Sequence, residues 1–157
     1  MTATPGRPAV QRGRAESLRH LEQEVGVLVR RVRRVVGGRA RSVHPDLQPV
    51  SYLMLGYLLH EGSVRASALS TAFDMDKGSV SRQVQHLLDL GLLDRTPDPD
   101  DGRATLLSVS EDGRRRLGDV AAHRRKLLAE RLGDWTAEDL DEFVGLLSRY
   151  NAALADI

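Results

Sequence analysis

The segment from Ala66 to Gly113 constrains the fold of this chain more than any other. Two short helical patterns lie close together there, with Asp74 and Met75 between the first and the capping residue of the second. Two strand-like runs joined by a turn rich in proline and aspartate come next. A tight turn between short helices is typical of a helix-turn-helix, and a hairpin behind it is typical of a wing. Because such an arrangement can reach two grooves of a duplex, we expect double-stranded DNA as the partner.

The second helix of the pair is predicted over Lys77–Leu90. Asp76 stands where an N-cap accepts from the first amides, and Gly91 stands where a left-handed residue ends a helix. Its apolar residues recur at helical spacing: Val80, Val84, Leu87 and Leu88. The opposite face is polar or small and consists of Gly78, Arg82, Gln85, His86 and Asp89, with Ser79 and Ser81 at its margins. Such side chains can contact base edges or phosphates in the major groove, although an ordinary solvated face gives the same pattern.

The hairpin is predicted from strands at Leu92–Thr96 and Ala104–Ser110. The residues between them, Pro97 to Gly102, are turn formers, and Arg103 follows directly. A guanidinium on a hairpin tip can enter a narrow minor groove, and we expect Asp101 to orient it through a charged contact. The alternative is an acidic surface hairpin that carries an incidental arginine.

Three stretches carry a resemblance to a known family: Leu90-Gly91-Leu92-Leu93-Asp94-Arg95, Asp98-Pro99-Asp100-Asp101-Gly102-Arg103-Ala104, and Leu107-Ser108-Val109-Ser110-Glu111-Asp112-Gly113. Together they resemble the wing signature of the MarR family of bacterial transcriptional regulators, and Val80-Ser81-Arg82 resembles the core of its recognition helix. The resemblance extends from about Glu16 to the end of the chain. It implies a mostly α-helical fold with a small β-wing, and a dimeric regulator of transcription, in most cases a repressor, that binds a palindromic operator.

The resemblance and the helix pattern together predict the residues that contact DNA. They are Lys77, Gly78, Ser79, Ser81, Arg82, Gln85, His86, Arg95, Asp101 and Arg103. The resemblance also implies that a small anionic or aromatic effector binds between the two lobes and releases DNA. The residues expected near that effector are Arg39, His44, Leu47 and Tyr52, which could equally be plain core residues.

The chain is expected to divide into a basic disordered tail at residues 1–14, a reading lobe at 45–110, and a dimerisation lobe made of 15–44 and 111–157. A regular apolar seam in the first helix supports the dimerisation lobe. The seam consists of Leu18, Leu21, Val25, Leu28, Val32 and Val35. Such a seam suits either a subunit interface or an ordinary core helix. Paired lobes would place two recognition helices about 34 Å apart, one turn of DNA.

The remaining elements are predicted from local signals. Gly37-Gly38 should end the first helix, and Val50–His60 should be helical, with Leu53, Met54, Tyr57 and Leu58 inward. The third helix, Ala66–Phe73, should turn Ala68, Leu69 and Ala72 inward, and Ser63–Arg65 should form a short strand beside the wing. Ser110 should cap a helix that reaches about Leu132, and Thr136 should cap the last helix.

Composition limits the function further. There is no cysteine, so a disulfide framework and a thiol switch are excluded. No catalytic motif and no histidine pair at ligand spacing is present, so we expect no enzyme activity, no cofactor and no metal. The longest apolar run and the arginine-rich start predict neither a membrane span nor a secretion signal, hence a cytoplasmic protein. The reading lobe has nine acidic and five basic residues, which keeps open the alternative of a winged-helix module that binds proteins and not specific DNA sequences.

Overall fold

The computed structural model describes the backbone of residues 7–155 and the side chains from residue 13 onward. The chain forms two compact units, the first ending at Arg116 and the second beginning at Leu117. The fold is mostly α-helical with one two-stranded sheet, as predicted. No helix in the described residues is long and apolar enough to span a membrane.

The first unit contains four helices, the sheet and the start of a fifth helix. The elements are α1 (Arg7–Val43), α2 (Pro49–Glu61), α3 (Ala66–Phe73), α4 (Lys77–Asp89), β1 (Leu93–Asp98), β2 (Asp101–Val109) and α5 (Glu111–Arg131). Its core collects apolar side chains from the four helices and both strands, among them Val36, Met54, Leu69, Leu87 and Leu107, each less than a tenth exposed. Burying a side chain of this size contributes roughly 1.5–3 kcal/mol, so this core holds the short helices in place.

The first helix is longer at both ends than the sequence predicted. It begins at Arg7, so residues 7–14 of the predicted tail are helical, while residues 1–6 lie outside the described residues. A proline at the second helical position is tolerated because its missing amide has no partner in the first turn. At the other end α1 runs through Gly37-Gly38, since Val36, Ala40 and Val43 are buried on either side of them. That packing outweighs a cost of about 1 kcal/mol for each glycine.

The inward faces of two short helices also differ from the prediction. In α2 the buried residues are Ser51, Met54, Leu55 and Leu58, whereas Leu53 is 45% exposed and Tyr57 is only half-buried. In α3 Leu69 is buried and Ala72 is exposed. The apolar residues of α2 surround the helix, so their spacing could not show which side would meet the core.

The second unit consists of the rest of α5 and of α6 (Ala137–Ala153). A capping box starts α6: the Thr136 hydroxyl accepts from the Asp139 amide at 3.1 Å, and the Asp139 carboxylate accepts from the Thr136 amide at 2.9 Å. Trp135 and Phe143 meet edge to face with centroids 5.7 Å apart. No residue of α6 is buried, although its sequence has a continuous apolar stripe.

Candidate nucleic-acid interface

The turn between α3 and α4 is short and well bonded. Asp74 ends α3 in the left-handed region at φ 48°, a conformation that aspartate tolerates better than most residues. The amide of Met75 returns to the carbonyl of Ser70 at 3.0 Å. Asp76 then caps α4, because its carboxylate accepts from the Ser79 amide at 2.9 Å. The predicted helix-turn-helix is therefore present with the predicted cap.

The cap on α4 is charged under ordinary conditions. Hydrogen bonds from the hydroxyl and then the amide of Ser79 hold the pKa of Asp76 below its ordinary value. Because the pKa is lower in the folded state, the charged carboxylate stabilises the fold at any pH above the ordinary carboxyl pKa. This stabilisation is lost only as the pH falls through the lowered pKa of the folded state. The anionic cap is thus complete at neutral pH, where it also suits the positive end of the helix dipole.

Helix α4 is attached to the core along one face and to α2 along its flank. Val80, Val84 and Leu87 are at most 3% exposed. The hydroxyl of Ser51, itself fully buried, donates to the Gln83 side chain at 2.6 Å. This leaves the opposite face at the surface, where Lys77, Gly78, Ser81, Arg82 and Gln85 are exposed and Ser79 is half-buried, as the helical pattern predicted.

Two polar side chains on that face are held by their neighbours. Arg82 donates to the Ser79 hydroxyl at 2.8 Å, and Gln85 donates to the Asp89 carboxylate at 2.8 Å. Gly78 leaves room for the first arrangement, because a Cβ there would lie 3.1 Å from the Asp76 carboxylate and 3.6 Å from the Arg82 guanidinium. Both side chains are consequently presented at the surface in a defined position.

His86 is placed differently from its neighbours on α4. It is half-buried, and its Nε2 lies 3.0 Å from the backbone carbonyl of Asp46, in the connection between α1 and α2. A carbonyl can only accept, so Nε2 donates in this bond. His86 therefore ties α4 to the chain 40 residues upstream, and its predicted contact with DNA stays a prediction.

The wing is an antiparallel hairpin with a two-residue tip. The register pairs Leu93 with Val109 and Pro97 with Thr105, and an irregularity falls between Pro97 and Asp98. The strands extend further into the tip than predicted, so Pro99 and Asp100 alone form the turn. Val64 bridges Leu107 of β2 in both directions, which confirms a strand-like contact beside the wing but only as one isolated bridge.

Arg103 is the third residue of β2, next to the turn, and its side chain is exposed. Its amide donates to the Asp101 carboxylate at 3.1 Å. The predicted contact of that carboxylate with the Arg103 guanidinium is wrong, because the guanidinium makes no hydrogen bond or ion pair with a described residue. The other oxygen of Asp101 lies 3.8 Å from Nη2 of Arg65. Asp101 thus fixes the backbone of Arg103 and leaves its guanidinium open to the surface.

An ion pair between a buried wing carboxylate and the start of α3 was missed from the sequence. Asp98 is 6% exposed, and its Oδ2 accepts from Nε of Arg65 at 2.7 Å and from Nη2 at 2.6 Å. Its Oδ1 accepts from the Asp100 amide at 2.9 Å. The hydrogen bond from the Asp100 amide, followed by the one from the Arg65 guanidinium, lowers the pKa of Asp98. The hydrogen bond to Asp98 and its negative charge raise the pKa of Arg65. Because the pKa of Asp98 is lowered, the pair stabilises the fold at any pH above the ordinary carboxyl pKa. It is therefore intact at neutral pH.

The base of the wing is closed by Ser110 and Gly113. The Ser110 hydroxyl donates to the Gly91 carbonyl at 2.7 Å and accepts from the Gly113 amide at 3.0 Å. Gly91 takes the left-handed conformation at φ 68°, as predicted for the end of α4. A Cβ at Gly113 would lie 2.6 Å from the Leu92 carbonyl oxygen, so only glycine lets α5 begin this close to β1.

The charges of the reading lobe are arranged more favourably for DNA than their number indicates. Four of its acids have local roles: Asp76 caps α4, Asp89 bonds Gln85, Asp98 pairs with Arg65, and Asp101 binds an amide. By contrast, Lys77, Arg95 and Arg103 are exposed and make no side-chain hydrogen bond or ion pair with any other residue that the structure describes. The acids are therefore partly compensated within the fold, while these three cations are available to an anionic partner.

The residues predicted near an effector are close in sequence but differ in exposure. Leu47 is 3% exposed and belongs to the core, while Arg39, His44 and Tyr52 are half-buried. The His44 ring accepts from the Asp46 amide at 3.1 Å. His44 and His86 thus contact the same residue, Asp46: His44 its amide and His86 its carbonyl.

Comparison with known proteins agrees with this architecture. A family model described as the MarR family matches residues 46–104. The HTH-type transcriptional regulator Mb0904 of Mycobacterium bovis is 32% identical over 121 residues, which cover 77% of this chain and 83% of that protein. The regulator YxaD of Bacillus subtilis is 29% identical over 136 residues, which cover 87% of this chain and 94% of that protein.

Solved structures show the same fold. The crystal structure of RV1404 from Mycobacterium tuberculosis matches with a TM-score of 0.70 at 19% identity and covers 99% of both chains. The MarR family transcription regulator SP03579 matches with a TM-score of 0.68 at 20% identity, over 90% of this chain and 97% of that one. The family and the relatives regulate transcription and are not enzymes, which confirms that prediction. The chain belongs to the MarR family of winged helix-turn-helix transcriptional regulators, which bind DNA.

Proposed function

We propose that this chain is a homodimeric repressor that binds a palindromic operator and is released from it by a small anionic or aromatic effector. The observation that supports DNA contact most directly is the exposed set of cations on α4 and the wing, Lys77, Arg82, Arg95 and Arg103, which are held on a rigid helix and hairpin. In this proposal α4 enters the major groove and the wing tip enters the adjacent minor groove. The DNA-contacting set is the predicted one: Lys77, Gly78, Ser79, Ser81, Arg82, Gln85, His86, Arg95, Asp101 and Arg103.

The proposed division of the chain follows from where apolar side chains remain exposed. On α1 the exposed apolar residues are Leu18, Leu21, Leu28, Val29, Val32 and Val35. On α6 and its C-cap they are Leu140, Phe143, Val144, Leu146, Leu147 and Leu154. Faces this large are seldom left in water by a soluble chain. We therefore assign residues 15–44 and 111–157 to dimerisation and residues 45–110 to DNA contact.

The function is tested by selecting bound sequences from a random DNA pool with the full-length protein. We expect a palindrome whose half-sites are centred about one helical turn apart. Transcription in vitro from a promoter that overlaps the selected site should fall as protein is added. Benzoate, an aromatic anion, should restore it, and the response should weaken in Arg39→Gln if Arg39, His44, Leu47 and Tyr52 surround the effector. Enrichment of no sequence would favour the protein-interaction module, which the acidic excess of residues 45–110 supports.

Arg82 and Arg103 should contribute to DNA binding in different ways. Replacing Arg82 by alanine should cost about 1–3 kcal/mol on the selected site and flatten the preference for its half-site bases, because a major-groove base contact is lost. Replacing Arg103 by alanine should weaken binding while the half-site preference is kept, since a minor-groove contact distinguishes mainly A·T from G·C pairs. Titrations of a labelled duplex and of single-base variants measure both effects.

The matched control for these variants is Asp100→Asn, which changes an exposed wing residue outside the proposed contact set. It should leave the half-site preference unchanged. Wild-type affinity in both arginine variants would show that the DNA-facing surface is misassigned.

A further inference from the structure

We propose that Arg65 is a positioning residue of the wing, which fixes Arg103 for its minor-groove contact without touching DNA itself. The inference rests on the proposed function, because it assumes that the wing contacts DNA. It is carried by the ion pair between Arg65 and the buried Asp98, which joins the start of α3 to the tip of the hairpin across 33 residues of sequence.

The wing needs such a support because it is a sheet of two strands. An isolated two-stranded hairpin is marginally stable in water. The only further backbone pairing along its strands, within the described residues, is the bridge between Val64 and Leu107 near the base. Arg103 lies four residues from Leu107 toward the tip, which is roughly 13 Å along a strand. The base is thus anchored by the sheet, while the tip depends on side-chain contacts.

Arg65 is well placed to supply them. Arg65 is the N-cap residue of α3, and the residue before it, Val64, forms the backbone bridge to Leu107 of β2. From this fixed origin its guanidinium reaches Asp98, the last residue of β1. Its Nη2 also lies 3.8 Å from Asp101, whose other oxygen binds the Arg103 amide at 3.1 Å. Two short routes therefore connect Arg65 with the backbone of Arg103.

The burial of Asp98 makes the ion pair with Arg65 necessary for a closed wing tip. Asp98 is the one charged side chain that is buried in the described part of the chain. A buried carboxylate without its partner is unfavourable, so loss of Arg65 should open the tip and bring Asp98 to water. Arg65 itself is about half-exposed, and its charge is directed to the two wing aspartates.

The sharpest test uses a substitution for which simple electrostatics and the proposal predict opposite changes in DNA affinity. Asp98→Asn removes a negative charge from the DNA-binding lobe, which by long-range attraction alone should tighten binding of the selected duplex. The proposal expects weaker binding by roughly tenfold, since asparagine has one acceptor oxygen where the carboxylate has two, so either the Arg65 guanidinium or the Asp100 amide loses its acceptor. The matched control is Asp100→Asn, two residues away, which removes the same charge from an exposed side chain and should leave affinity equal or slightly higher.

A double-mutant cycle shows whether Arg65 acts through Arg103. Arg65→Met should weaken binding roughly tenfold in the wild-type background and less than about twofold in the Arg103→Ala background. Arg65→Lys, which keeps the charge but not the planar fork, should restore only part of the affinity. Arg65→Met should also lose the preference for A·T over G·C pairs under the wing and keep the half-site preference of α4.

The outcomes separate the inference from the function on which it rests. Equal effects of Arg65→Met in both backgrounds would mean a direct phosphate contact and would overturn the positioning role, as would tighter binding by Asp98→Asn. Thermal unfolding of each variant is measured alongside, so that a global loss of folding is recognised. A wild-type protein that binds no selected duplex would instead refute the proposed function.

Discussion

Replacing Val144 by aspartate should convert the proposed dimer to a monomer and abolish high-affinity binding of the selected duplex. Val144 is 60% exposed, the most exposed of the large apolar residues on α6, so its replacement removes little packing within one chain. In a two-fold symmetric dimer each substitution occurs twice, and an unpaired buried carboxylate is costly at each position. We expect the dimer to weaken by at least about 3 kcal/mol, or roughly a hundredfold. DNA affinity should fall comparably, because two linked half-site contacts become independent.

Sedimentation of the full-length variants measures the first effect, and duplex titration measures the second. Ala152→Asp is the matched control, since it adds the same charge at another exposed position of α6, about 80° around the helix from Val144 and about 120–180° from the other exposed apolar residues. It should remain a dimer with unchanged affinity. A Val144→Asp protein that stays dimeric and binds as the wild type does would show that the α6 face is not the interface.

Replacing Gly113 by alanine should be among the most destabilising single-methyl changes in this chain. The added Cβ would lie 2.6 Å from the Leu92 carbonyl oxygen and 2.9 Å from a Val109 methyl. Neither group can move far, because Leu92 and Val109 are both at most 2% exposed and hold the base of the wing. Overpacking of this kind costs about 1–3 kcal/mol. For a chain of this size, that lowers the midpoint of thermal unfolding by roughly 2–4 °C for each kcal/mol.

Gly118 on the same helix provides the comparison. A Cβ there meets nothing within 4 Å, and alanine is the better helix former by about 1 kcal/mol. Gly118→Ala should therefore unfold at the same temperature as the wild type or above it. If the two variants had equal midpoints, close approach would not be the reason for glycine at 113.

The parts of the interface that follow local rules were predictable. Asp76, Ser110 and Thr136 cap their helices as expected, because an N-cap joins residues only two or three positions apart. Gly91 ends α4 as expected, since few other residues adopt its left-handed conformation without cost. The face of α4 that carries Arg82 and Gln85 followed from a helical period of 3.6 residues.

Two errors show where local rules gave way to packing. Gly37-Gly38 has low helix propensity, yet α1 continues to Val43 because the buried side chains around the glycines contribute more than the propensity costs. In α2 the apolar residues point in all directions, and Leu55 was buried in place of Leu53. The choice between them depended on where the other helices lie, which no short stretch of α2 encodes.

Polar contacts between residues far apart in the sequence also separate what local pattern predicts from what tertiary packing decides. Sequence pattern alone established the order of the elements, their caps, the winged helix-turn-helix and the outward position of Arg82 and Arg103, because each depends on neighbours within a few residues. Tertiary packing alone revealed that Arg65 binds Asp98 and that His86 binds the Asp46 carbonyl, contacts that span 33 and 40 residues. Such pairs form only after the core has brought separate elements together, and burial then makes Arg65 the required partner of Asp98.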